Sequence, residues 1–348
     1  MDRLGSEHAP GRAGEGQWPS ELVAVWEASP TAEYASLTRT GLPVTVPTTP
    51  YVGAGSKTVD VSTGLTYPAK AERARRDPRV CLLFADPVGT QLGQPPVVLV
   101  QGLATVRDAD LQANTDRYVQ LSGQKYPATL KGKPRFVLAR MAWYFARIWI
   151  EITPLHIRWW PDRDLASAPM SWHAPGGTAA PLSDPAPSGA QPPAWLRPPS
   201  SWRDGVHDIV RRLPLHDLTV IDGNGFPLCL PVCGTRVTDD GFVVRLGPGA
   251  PAVDEGPACL TLHGHPEIFT GQENRTYVGR AVPETETPGT ATTVRVTVER
   301  VLADWSIAGG QARSAIGFLR KGRRLAPRLT KEAARRFQPV PKVTIPSS

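Results

Sequence analysis

Apolar residues in this chain fall mostly at alternate positions, in short runs bounded by proline and glycine, the pattern of half-buried strands. The first element is an exception. PSELVAVWEASP carries Leu22, Val25 and Trp26 at helical spacing, with Pro19 suited to a first turn and Pro30 to an exit, and predicts a short amphipathic helix. EYASLTRTGLPVTVPTTPYV then reads as a hairpin, with Thr40 and Gly41 in the turn and Val44 and Val46 on the apolar face. TVDVSTG is a third strand, and PAKAERARRDP a charged helix entered through Pro68 and closed before Pro78. VCLLFAD and PVVLVQGLATVR are two more strands, joined by the turn VGTQLGQ. ADLQANTDRYVQLSG and PRFVLARMAWYFAR read as helical segments, and IWIEITPLHIRWW as a strand pair or one long bent strand. About six antiparallel strands with short turns and peripheral helices predict a small closed barrel.

The series then repeats. Trp18, Pro30, Gly41, Pro43 and Pro47 recur 184 positions later as Trp202, Pro214, Gly225, Pro227 and Pro231. SWRDGVHDIVRRLP matches the first helix, LTVIDGNGFPLCLPV the hairpin, GPACLTLHG the strand DPRVCLLFAD, and VRVTVERVLADW the closing strand. The offset falls from 184 to 179, then 177, and finally 146 between Trp159 and Trp305, and the largest drop removes the helical insert at 108–144. The expected organisation is a disordered leader over 1–16, one barrel over 17–160, a Pro-, Ala- and Gly-rich linker over 161–200, a degenerate second barrel over 201–307, and a basic tail over 308–348.

The charge of +7 belongs to that tail, where ten Lys or Arg residues face one acid from Gln311 onward. The rest of the chain is close to neutral, which argues against a dedicated nucleic-acid binder. No apolar run is long enough to span a membrane. Cys81, Cys229, Cys233 and Cys259 form no disulfide framework, so a reducing cytoplasm is the simplest setting. The tail reads as an amphipathic helix with Ile316, Phe318 and Leu319 among arginines, packed on its own barrel, meeting an anionic surface or closing over a cofactor.

The copies differ most between the third and fourth strands. There the first has Ser62, Thr63 and, on the first turn of a helix, Lys70; the second has LGPGAPAVDEGP, without hydroxyl pair, lysine or room for the helix. Hydroxyls at a strand end, free N–H groups at a helix start and one lysine make an anion cradle suited to phosphate. The alternative is a simple turn before a solvated basic helix.

Gly-Leu-Pro and Val-Pro-Thr within Gly41–Thr48, Val-Ser-Thr at Val61–Thr63, KAERARRDPRV at Lys70–Val80, QGLATV at Gln101–Val106 and EITPLHIRWW at Glu151–Trp160 resemble the pyridoxamine 5′-phosphate oxidase-like, FMN-binding split β-barrel superfamily. The resemblance covers residues 18–160 and, in degenerate form, 201–307. It implies a mainly β fold with peripheral helices, two split β-barrels in tandem. It further implies FMN, or an 8-hydroxy-5-deazaflavin coenzyme, or less readily haem. Thr45, Val46, Thr48 and Thr49 would contact the ring, Ser62, Thr63 and Lys70 the phosphate, and Val61 is a cofactor-binding candidate beside them. Arg73 stands where the family often has Asn, and Val46 where the oxidases often have Arg, so the expected activity is that of a flavin or deazaflavin reductase on a small organic substrate. A non-catalytic flavin or haem carrier of the same fold is the alternative. The implied groove between two barrels is built either within one chain, as an internal pseudo-dimer, or between chains in a homodimer.

No side chain is nominated as acid or base. Cys229, Cys233, Cys259, His263 and His265 have spacings unlike those of tight zinc sites, so no metal is expected. His156, His207 and His216 read as surface histidines, and Trp143, Trp149, Trp159 and Trp160 mainly as core, with Trp159 or Trp160 a candidate ring neighbour.

Overall fold

The computed structural model describes residues 18–53, 55, 57–127, 141–192, 197–269, 271–284, 291–303 and 311–344. The expected leader, the segment 128–140 of the helical insert, and Trp305 lie outside them. The first barrel is built from β1 (Ala32–Leu37), β2 (Pro43–Thr48), β3 (Pro50–Val52), β4 (Val59–Gly64), β5 (Arg79–Phe84), β6 (Val97–Arg107) and β7 (Arg147–Trp160). They pair antiparallel in the order β2-β1-β5-β6-β7-β4-β3. β2 and β3 lie at opposite ends of that order and are joined through Thr49 alone, so one kinked segment draws the two sheet edges toward each other. This is the split barrel.

The second barrel repeats it with β9 (Leu215–Ile221), β10 (Pro227–Pro231), β11 (Gly234–Val237), β12 (Gly241–Arg245), β13 (Gly256–Gly264), β14 (Glu273–Pro283) and β15 (Thr293–Val301), in the order β10-β9-β13-β14-β15-β12-β11. The correspondence extends to backbone detail. Gly41 and Gly225 hold the two hairpin turns at φ +77° and +78°. The register slips at Gln101/Gly102 in one sheet and at Val278/Gly279 in the other. At each bulge a Cβ on the glycine would collide with a carbonyl oxygen of the neighbouring strand, Thr153 or Thr297. β7 is therefore one long strand bent at a bulge.

The helices are peripheral: α1 (Ser20–Ala28), α2 (Ala69–Arg76), α3 (Leu111–Lys125), α4 (Ala142–Phe145), α5 (Val206–Arg212) and α6 (Gln311–Ala334). α1 buries Leu22, Val25 and Trp26. α3 starts at Asp110, whose carboxylate accepts the N–H of Ala113. Along α6, Leu325, Leu329 and Ala333 enter the core of the first barrel, so the C-terminal helix packs on its own protein.

Residues 161–200 are less free than a Pro-rich composition suggests. β8 (Met170–His173) adds to β7. Ser183 accepts the N–H of Val106, and Asp184 those of Asp108 and Ala109. The connection is a strap fastened along the first barrel. It needs no apolar core, because polar side chains satisfy exposed strand groups.

The two barrels pack on each other through corresponding strands: β2 lies on β9, β13 and β14, and β10 on β1, β5 and β6. Contacts that exchange in this way define an approximate two-fold axis within one chain. Ala35, Cys81, Leu83, Leu99 and Trp160 of the first copy belong to the same buried cluster as the core of the second. Polar bonds cross the seam: Thr45 Oγ1 lies 2.6 Å from Thr219 Oγ1, and Gln101 Nε2 donates to Asp222 and to the carbonyl of Pro227. All four cysteines are free thiols. No helix among the described residues is long and apolar enough to cross a membrane.

Candidate functional site

Pro68 ends the turn after β4 and starts α2, placing Lys70 in its first turn. Ala71 and Ala74 enter the core on the adjoining face of the helix, and Lys70 and Arg73 reach β2 and β1. Lys70 Nζ lies 3.4 Å from Thr48 Oγ1, and Arg73 Nε donates to Ser36 at 2.9 Å. Arg147, at the start of β7, pairs with Gly64 at the end of β4. A Cβ at Gly64 would come within 3.1 Å of the Arg147 guanidinium, which stacks over Tyr118 at 3.9 Å.

The electrostatics of this group are one-sided. Burial, then Arg147 and Arg73, pushes the Lys70 ammonium down to about 7. Burial likewise lowers Arg73. Arg147 is raised despite burial, by Tyr118, Tyr144 and Tyr51. None of the leading influences on the three groups is a carboxylate. Lys70 keeps partial exposure although protein surrounds its ammonium. A buried ammonium that feels two guanidinium groups is costly unless an anion compensates it.

The sequence-derived residues divide into groups. Ser62 and Gly64 alternate with Val61 on β4, so Ser62 shares the sheet face of Arg147 and sits opposite Trp149. Thr48 therefore lies beside Lys70, and Ser62 on the sheet face that carries Arg147. Val61 instead enters the barrel core, which leaves its side chain away from any phosphate. Thr63 donates to the carbonyl of Tyr67 and holds the turn. Thr45 faces the seam, where its N–H, carbonyl and hydroxyl meet Cys259, Thr261 and Thr219. Odd and even positions of β2 point to opposite faces, so Thr45 and Thr48 do not present side chains to one ligand. Val46 and Thr49 flank Thr48 and are partly exposed, and Thr49 Oγ1 accepts from Tyr126.

Trp159 lies in the first barrel's core, and Trp160 Nε1 donates to Gly249 across to the second barrel. The aromatic opposite Ser62 is Trp149, fixed by a 2.8 Å bond to Asp60 and covered by Arg117 at 4.1 Å. Arg147 carried no local signal, and Trp149 stood out only as one of several clustered tryptophans, because their place on the face of Ser62 depends on the pairing of β4 with β7.

The corresponding place in the second barrel is filled. The segment after β12 meets the strap: the N–H of Gly249 donates to Leu165, and a Cβ at Gly247 or Gly249 would overlap the carbonyls of Asp164 or Ser167. A separate open groove of about 510 Å³ runs between α2 and the strap at Pro181–Asp184 and does not include Lys70.

No family model matches the chain, and no curated protein matches it. Among solved structures it is similar to a protein related to general stress protein 26, of the pyridoxinephosphate oxidase family, from Clostridium acetobutylicum, with 13% identity, 44% of this chain and 96% of that one covered, and a TM-score of 0.29. An F420 reductase aligns with 17% identity over 38% of this chain and 93% of its own, at a TM-score of 0.29. A conserved hypothetical protein from Mycobacterium tuberculosis aligns with 21% identity over 47% and 97%, at 0.33. By the strand orders above, the chain is a tandem of two split β-barrels.

Proposed function

We propose that the first barrel binds a phosphate-bearing flavin, FMN or a deazaflavin with the same stem, and that the chain is an oxidoreductase acting on a small organic substrate. The observation that supports this reading is Lys70, whose buried ammonium is pushed down by burial and by the two guanidinium groups of Arg147 and Arg73, with no carboxylate among its leading influences. A phosphate ester fits that donor set, since each cation can donate to it and the partners they already have, Thr48, Ser36 and Tyr118, are neutral hydroxyls. Thr48 adds a hydroxyl beside Lys70 and Ser62 one on the face of Arg147, and Val46 and Thr49 flank Thr48.

The flavin, when bound, supplies the electron-pair chemistry. The chain holds the phosphate through Lys70 and the guanidinium groups, orients the stem along β2, and excludes water through the neighbouring barrel. With the matching place in the second barrel closed by the strap, one cofactor per chain is the expected stoichiometry.

The direct test is the visible spectrum of protein mixed with FMN and freed of excess by gel filtration. Retained flavin absorbance, bleached anaerobically by NADPH or reduced deazaflavin and restored by an acceptor, supports the reading. FMN that separates completely from the protein refutes it. A Soret band in the protein as purified would favour a haem carrier.

The lysine also predicts a pH dependence. In the free protein its pKa is about 7, below the unperturbed 10.5, and a bound dianion favours the charged form. Between about pH 7 and 9 binding must therefore take up a proton, and FMN affinity should fall as pH rises through that window. Fluorescence titrations showing constant affinity across it would place the ammonium away from the phosphate.

A further inference from the structure

We propose that Glu33, Asp217 and His263 form a divalent transition-metal site that pins the two barrels together, with zinc the preferred ion. Glu33 comes from β1 of the first barrel, and Asp217 and His263 from the paired strands β9 and β13 of the second. Their ligand atoms all lie within 4.8 Å of one another. His263 Nε2 is 3.0 Å from Glu33 Oε1 and 3.0 Å from Asp217 Oδ2, and the exposure of these side chains is between 1% and 3%.

The hydrogen-bond inventory of this group is incomplete in the way a metal would complete it. His263 Nε2 makes its bond to Asp217. Neither oxygen of Glu33 has a hydrogen-bond donor, although both are sealed from solvent. A single imidazole N–H serves one acceptor well, so the second carboxylate is left buried with attraction but no bond. A divalent cation at the common point would cancel the two carboxylate charges and bond both. Glu33 offers both oxygens, which with Asp217 and the imidazole makes four donor atoms. Bonds of about 2.0–2.2 Å require the two 3.0 Å pairs at His263 Nε2 to open by only about a few tenths of an ångström. One nitrogen with oxygen ligands suits zinc, with manganese weaker.

The neighbouring pair does not share this condition. Asp86 accepts from His265, Thr31 and the N–H of Val88, so its oxygens are already engaged. The site also differs from the cation group. On β1, Glu33 and Ala35 face the seam, whereas Ser36, which meets Arg73, faces the other side.

The test uses the full chain, stripped with a chelator and dialysed, then titrated calorimetrically with zinc chloride and with manganese chloride. One zinc per chain with a higher melting temperature is expected, with weaker binding of manganese. Glu33→Gln and Asp217→Asn should each weaken zinc by more than the ~10- to 100-fold typical of changes behind the ligands. Their melting temperatures without metal show whether they fold; the loss of a buried charge should leave them at or above the stripped wild type. No zinc uptake by the wild type overturns the proposal and leaves the triad as a proton-sharing clasp. Zinc uptake undiminished in both variants overturns it equally, by placing the ion elsewhere.

Discussion

Replacing Lys70 with methionine is expected to weaken FMN binding by about 10- to 150-fold, the ~1.5–3 kcal/mol of a hydrogen bond to a charged group, while riboflavin binding changes by about twofold or less. Methionine keeps the packing of the stem and removes only the ammonium. The stability of the free protein should move the other way. In the absence of an anion the ammonium is surrounded by protein beside two guanidinium groups and is held down to about 7. Its removal should therefore raise the melting temperature of the free protein and lower that of the FMN complex relative to wild type. Thermal melts with and without FMN read both signs. A variant that loses both ligands equally, or melts lower in the free state, would mean that Lys70 serves the fold instead of the phosphate.

The largest expected effect on folding is at Arg336. Only 3% of its side chain is exposed, and it meets three carboxylates: Asp108 at 2.7 Å, Glu332 at 2.9 Å and Glu72 at 3.1 Å. Arg75 shares Asp108, and Arg335 shares Glu332, whose side chain is fully buried. The network ties α6 to α2 and to the end of β6. Arg336→Ala leaves Asp108 and Glu332 buried with reduced compensation, and loss of one partner of a buried ion pair costs about 3–5 kcal/mol. Urea denaturation should show that loss, and limited proteolysis should cut first within α6. Because α2 carries Lys70 and Arg73, FMN affinity should fall as well. A change in stability below about 1 kcal/mol would show that the network is offset by its own desolvation.

Much of the architecture was legible because it is written in local patterns. Strands such as VCLLFAD and hairpins marked by Gly41 and Gly225 need no knowledge of distant partners. The recurrence of Trp, Pro and Gly at one offset identified the second barrel even where its chemistry had changed. The strap over 161–200 was less legible, since composition reports the lack of a core and says nothing of polar residues such as Ser183 and Asp184 that engage strand N–H groups.

The site was legible in part. Lys70 lies beside Thr48, Ser62 shares the sheet face of Arg147, and the loop LGPGAPAVDEGP that stands in their place in the second copy packs against the strap. The face on which each strand residue lies was harder to read. Period two places Thr45 and Thr48 on opposite sides of β2 without telling which side meets the other barrel, and Val61 turned out to be core. Arg147 enters through strand pairing across more than eighty positions of sequence. The Glu33, Asp217 and His263 group is beyond local reading for the same reason: its members meet only when the barrels dock, so the spacing of Cys259, His263 and His265 carries no trace of it.

The decisive measurement is the stoichiometry and ligand preference of flavin binding, read by calorimetry on the intact chain. One FMN per chain, held about tenfold or more tighter than riboflavin, is the result predicted by a phosphate site in the first barrel and a closed counterpart in the second. Two equivalents per chain, or equal affinity for FMN and riboflavin, would contradict it.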